Sequence, residues 1–153
     1  MAKLYPPYLG GTVPAFYDNL LTIPYIMNKT VSRNEISGFN LIVKTVANSK
    51  LLGQVRLTGE YDENADEYVI EGWNPDTHEV VFDLSKNKKL FESLAIGQYY
   101  KVQLAYIDLE GVIGYYSSVA IVKYTSEPSV TIEGLEFGII NMDNGTYVGG
   151  YSQ

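Results

Sequence analysis

An all-β sandwich is the fold class that this sequence predicts, and three observations carry the prediction. Strand-length runs of β-branched, aromatic and aliphatic residues recur from Leu20 onward at short spacing. Clusters of Gly, Pro, Asn and Asp separate them, and no stretch sustains the apolar period of a helix. The clearest run is Leu94 to Tyr124, which reads as a long β-hairpin around a short acidic turn with Gly111. Within it Tyr100, Val102, Leu104 and Tyr106 fall on one face, and Lys101, Gln103, Ala105 and Ile107 on the other.

The chain opens with a segment, 1–19, rich in proline and tyrosine. Prolines fix φ and remove donors, so this is an extended arm and not a helix. Its Tyr5, Pro6, Pro7, Tyr8, Leu9, Val13, Pro14, Phe16 and Tyr17 are costly to leave in water. Such an arm either folds back on its own domain or docks on a partner, and these nine residues are the candidate partner-binding set. On the docking reading, removing Met1 to Phe16 is expected to leave a folded domain.

A sandwich over 20–126 follows. Leu20 to Met27 reads as a first strand, demoted to an edge by Pro24. Ser32 and Glu35 have capping-box spacing for a single helical turn. Phe39 to Val46 alternates as a strand, Asn48-Ser49-Lys50 turns it, and Leu51 to Thr58 returns. After an acidic loop, Glu60 to Glu67, come strands at Tyr68 to Trp73 and Glu79 to Leu84, separated by Asn74-Pro75-Asp76. Ser85 to Ser93 is lysine-rich and suits a loop or one helical turn. Segment 127–153 restarts the β pattern at Ser129 to Glu133, Leu135 to Met142 and Thr146 to Tyr151. Asp143-Asn144-Gly145 supplies a tight turn there. It reads as the opening of a second module, or as a hairpin that exchanges onto a neighbour.

Composition narrows the function classes. Net charge is −7, with Lys+Arg at 11 against Asp+Glu at 18. Phosphate backbones demand concentrated positive charge, so no nucleic-acid partner is expected. No apolar run approaches the length of a membrane helix and no secretory leader is evident, so no membrane partner is expected either. The sequons at Asn28-Lys29-Thr30 and Asn144-Gly145-Thr146 then read as chance matches. There are 14 tyrosines against 5 phenylalanines. Tyrosine suits interfaces because its ring buries while its hydroxyl stays hydrated, and this excess points to assembly.

The chemistry-bearing residues argue against catalysis. Asp62, Asn64 and Asp66 have the alternate spacing that opens a calcium loop. Glu67 and Trp73, however, stand where an EF-hand needs glycine and a closing carboxylate. His78 is the sole histidine and there is no cysteine, so neither a zinc site nor a disulfide is supported. No Gly-x-Ser-x-Gly elbow occurs, and the only paired carboxylates lie in a loop where water keeps both ionised. The expectation is no enzyme, no cofactor and no metal.

Leu94, Gly97, Tyr100, Val102, Leu104, Asp108, Gly111, Ser117, Ser118, Thr125 and Pro128 resemble the closing half of a fibronectin type III domain, an immunoglobulin-like fold. The resemblance implies that Tyr100 is the corner tyrosine, its hydroxyl bonded back to the preceding loop. The early strands depart from that family, since no tryptophan sits in Phe39 to Val46 and Trp73 comes later. The arm LYPPYLGGTVPAFY, the tyrosine-rich module and the restart after Pro128 together resemble virion structural proteins of tailed bacteriophages. That resemblance implies a virion location, other virion structural subunits as partners, a homo-oligomer, and a place in a fibre, neck, tail or baseplate. The alternative function is a recognition module for a host surface glycan or protein, with Tyr115 and Tyr116 as contacts.

Overall fold

The computed structural model describes residues 3–126, and the expected β segment at 127–153 lies outside the described residues. The fold is all-β. Its strands are β1 (Ala15–Tyr17), β2 (Leu20–Pro24), β3 (Ile36–Thr45), β4 (Leu51–Thr58), β5 (Glu60–Asp62), β6 (Glu67–Val69), β7 (Trp73–Asn74), β8 (Glu79–Asp83), β9 (Tyr99–Asp108) and β10 (Ala120–Thr125). Eight of them form one mixed, curled sheet in the order β4-β3-β9-β10-β1-β2-β8-β7, and β5 and β6 form a separate hairpin.

One core lies between the two halves of the curl, built from alternate residues of each strand. Leu21 and Ile23 of β2 with Val80 and Phe82 of β8 come from one half. Phe39, Leu41 and Val43 of β3, with Val102, Leu104 and Tyr106 of β9, come from the other. Trp73 takes the core position that the early strands lack. Its ring meets Phe39 at 5.3 Å and its Nε1 donates to the Tyr25 hydroxyl at 2.8 Å. Each large side chain buried this way contributes about 1.5–3 kcal/mol of transfer free energy.

Several expected elements differ. Pro24 does not mark an edge, because β2 lies between β1 and β8, and Pro24 is simply its last residue. The acidic loop Glu60 to Glu67 is mostly the β5–β6 hairpin. Facing Tyr61 and Tyr68 rings 5.6 Å apart hold it across the strands, and Asp66 accepts from the Tyr61 hydroxyl. Tyr68 to Trp73 is therefore not one strand, since the chain leaves β6 and turns at Gly72, φ 94°, into β7.

The long hairpin also opens early. β10 begins only at Ala120, because Ser117 replaces a regular ladder with its side chain. Its Oγ accepts from Leu104 N at 3.0 Å while its N–H donates to Leu104 O at 2.8 Å. The helical elements are brief: a 3-10 turn at Arg33–Glu35, where Ser32 N–H donates to Glu35 Oε1, a second at Leu84–Lys86, and α1 (Lys88–Glu92), capped by Asn87 Oδ1.

Candidate partner-binding face

The described part of the arm, from Lys3 to Tyr17, lies along the domain, and its last three residues are a strand of the sheet. After Gly10 and Gly11, where Gly11 takes φ 78°, the arm forms β1, which runs parallel to β10 and antiparallel to β2. It thereby joins the two halves of the curl. Phe16 is 3% exposed, opposite Leu21 and Tyr124, and its ring stacks on that of Tyr124 at 4.3 Å. Thr125 Oγ1 closes the seam by donating to Phe16 O at 3.0 Å.

Upstream, Tyr8 and Ile26 exchange both backbone hydrogen bonds, at 2.9 and 2.8 Å, and Tyr115 N donates to Leu4 O at 3.0 Å. The second contact needs Gly114, since a Cβ there would stand 2.6 Å from Leu4 O. Asn28 pins the strap from beneath. It is 4% exposed, its Nδ2 donates to Pro6 O at 2.8 Å, and its Oδ1 accepts from Thr30 N and Oγ1 at 3.0 and 2.7 Å. Its own N–H donates to the Tyr106 hydroxyl at 3.3 Å, which in turn donates to Met27 Sδ.

The candidate partner-binding set therefore splits in two. Pro7, Leu9, Pro14 and Phe16 are buried against the domain, and Pro6 is half-buried with its carbonyl accepting from Asn28 Nδ2. A deletion of Met1 to Phe16 would remove the buried side chains of Leu9 and Phe16 and two of the three residues of β1. Tyr5, Tyr8, Val13 and Tyr17 face outward. Tyr5 and Tyr115 come together as near-parallel rings, 6.0 Å apart and 20° inclined, 58% and 51% exposed. Lys3 Nζ lies 5.5 Å above the Tyr115 ring. Tyr116 does not join this face, because it is half-buried and its hydroxyl accepts from Asn40 Nδ2 at 2.6 Å.

Sequence reasoning missed Lys3, exposed Ile26 and Asn28 as parts of this arrangement. For Asn28 a signal existed: the Asn-x-Thr spelling that matches a sequon also spells a local turn in which Oδ1 caps the residue two ahead.

Several titratable groups are held by burial or hydrogen bonds within the fold. Burial pushes the Tyr25 phenol up to about 12 against the lowering effect of the Trp73 hydrogen bond, and burial raises the Tyr106 phenol as well. Asp83 is held below the usual carboxylate range by hydrogen bonds from Ser85 and Asn19. Asp62 Oδ1 accepts from Asn64 N, so it caps its own turn. His78 adopts φ 56° in the turn before β8. Among the described residues no three His, Cys, Asp or Glu side chains converge as a metal site.

No protein-family model matches this chain, and no curated protein matches it. Among solved structures, a β-1,2-glucanase from Parabacteroides distasonis superposes on 83% of this chain with 12% identity and a TM-score of 0.42. The spore cortex lytic enzyme SleM of Clostridium perfringens superposes on 78% of it with 15% identity and a TM-score of 0.34. The chain spans 13% of the first protein and 29% of the second, and likeness at this level carries no argument about what it does.

Proposed function

We propose that this chain is a non-catalytic attachment module with a fibronectin type III-like, immunoglobulin-like sandwich, belonging to a tailed-phage virion structural protein. The finer fold reading is supported by the corner at Tyr100, whose hydroxyl accepts from Ala95 N at 2.8 Å across the turn that enters β9. Strand order supports it too, since β4-β3-β9-β10 and β1-β2-β8-β7 correspond to two antiparallel sets joined at β1.

One observation carries the function. The arm buries Pro7, Leu9, Pro14 and Phe16 and leaves Tyr5, stacked on Tyr115, and Tyr8 facing outward, on backbone held by β-type pairing to Tyr115 and Ile26. Rigid aromatic rings of this kind lose little conformational freedom on docking, which makes them effective anchors for a neighbouring subunit. The test replaces Tyr5, Tyr8 and Tyr115 together by Ser. All three are exposed, so unfolding is expected to stay within about 0.5 kcal/mol per site of the parent. Incorporation of the variant into particles should fall at least about tenfold, and incorporation at the parental level would overturn the reading.

The stacked Tyr5–Tyr115 pair also favours a second reading, a platform for the apolar face of a host surface sugar. That reading requires measurable binding to cell-wall carbohydrate that disappears in Tyr115→Ala. Binding retained by that variant refutes it.

A further inference from the structure

We propose that β1 and the arm before it exchange between two copies of this chain, each copy's arm filling the seam between β10 and β2 of the other. This goes beyond the assembly reading above and rests on the hinge, not on the tyrosine face.

The seam is shaped for this arm. It offers backbone partners on both sides of β1, through Phe16 to Tyr124 and Leu21, and cover for Leu9 and Phe16. A second copy's arm is the occupant that reproduces all of these contacts. The equilibrium between closed monomer and exchanged dimer is then set by the connection that must open.

That connection is a two-residue turn, because Tyr17 pairs with Leu20 and only Asp18 and Asn19 lie between them. Asp18 takes φ 57°, whereas Asn19 is not among the residues with positive φ. Asp18 thus holds the left-handed region at the first central position of the turn, a conformation open to glycine without cost and to a residue with a Cβ only at a cost. The strain sits where the chain would straighten on exchange, and short hinges under strain drive strand swapping. Asn19 stays behind with β2 in either state, held by Asp83 Oδ1 at 2.8 Å and by Leu84 N at 2.8 Å. Two copies opening the same hinge about a twofold axis form a closed pair.

The chain contains no cysteine, so a trap can be built without interference. Ala15 and Thr22 are register partners across β1 and β2, at a spacing a disulfide can bridge. Refolding Ala15→Cys/Thr22→Cys at increasing protein concentration, then oxidising, should give a rising fraction of covalent dimer on a non-reducing gel. Adding Asp18→Gly relieves the hinge in the closed form and should weaken dimer formation about tenfold. A trap that yields only internally bridged monomer at every concentration overturns the proposal, and so does a dimer that Asp18→Gly leaves unchanged. The trap carries all three tyrosines of the docking face, so its failure leaves the attachment reading intact. Failure of the triple tyrosine variant likewise leaves the exchange intact.

Discussion

Replacing Phe16 by Ala tests whether the arm belongs to the domain. Phe16 is buried between β10 and β2, with its ring on that of Tyr124 at 4.3 Å. Truncation removes a buried aromatic side chain and leaves a cavity, which costs about 3–5 kcal/mol, roughly 0.5–1.5 of it from the ring pair. For a domain stable by about 5–15 kcal/mol that is a large fraction. Urea unfolding is the assay, and Trp73, the single tryptophan and itself core, is the reporter. With a urea dependence of about 1.5–2 kcal/mol per molar, the midpoint should fall by about 2 M. Val13→Ala, in the same arm but 82% exposed, is the control and should move stability by less than about 0.5 kcal/mol. A Phe16→Ala midpoint no lower than that of the control would refute the account of β1 as a core strand.

Two further outcomes follow from the core. Tyr25 ionises near 10 when unfolded but only at about 12 in the fold, so its contribution is complete below pH 10 and is lost as pH rises to about 12. The loss should reach roughly 2 kcal/mol, Tyr106 should act in the same direction, and Tyr25→Phe should flatten the decline in urea midpoint over that window; an unchanged decline contradicts the assignment. Tyr100→Phe removes the acceptor for Ala95 N and should cost about 1 kcal/mol while speeding exchange of the Ala95 amide proton, and an Ala95 exchange rate equal to the parent's would sink the corner assignment.

What the sequence revealed depended on whether structure was written locally. In β9 the alternation of Tyr100, Val102, Leu104 and Tyr106 is legible because one face meets the core. The other face misleads near its end, where Ala105 and Ile107 are buried and Ile107 pairs with Ile113 of the following loop. The β5–β6 hairpin was hidden by its acidic composition, since the tyrosine pair that holds it gives too short a pattern. The arm's fate was not legible at all. Phe16 finds its partners on β10, and the bond from Thr125 to Phe16 spans 109 residues of chain, a separation that no local period encodes. Proline and tyrosine described the arm's extended form correctly but said nothing about which side chains turn inward. The outward tyrosines were accordingly identified by type, and the split between Tyr5, Tyr8 and their buried neighbours needed the fold.

The parallel alignment of β1 with β10 has a mechanical consequence. The chain enters at the far end of the arm and leaves at the opposite end of β10, so tension applied between residues 3 and 126 pulls these two strands past each other along their length. The bonds from Tyr115 to Leu4, from Thr125 to Phe16 and from Asp18 to Thr125 are then loaded in shear, all together, and not peeled open one at a time. A module strung in line with its neighbours would carry force through the strap that closes its own sheet.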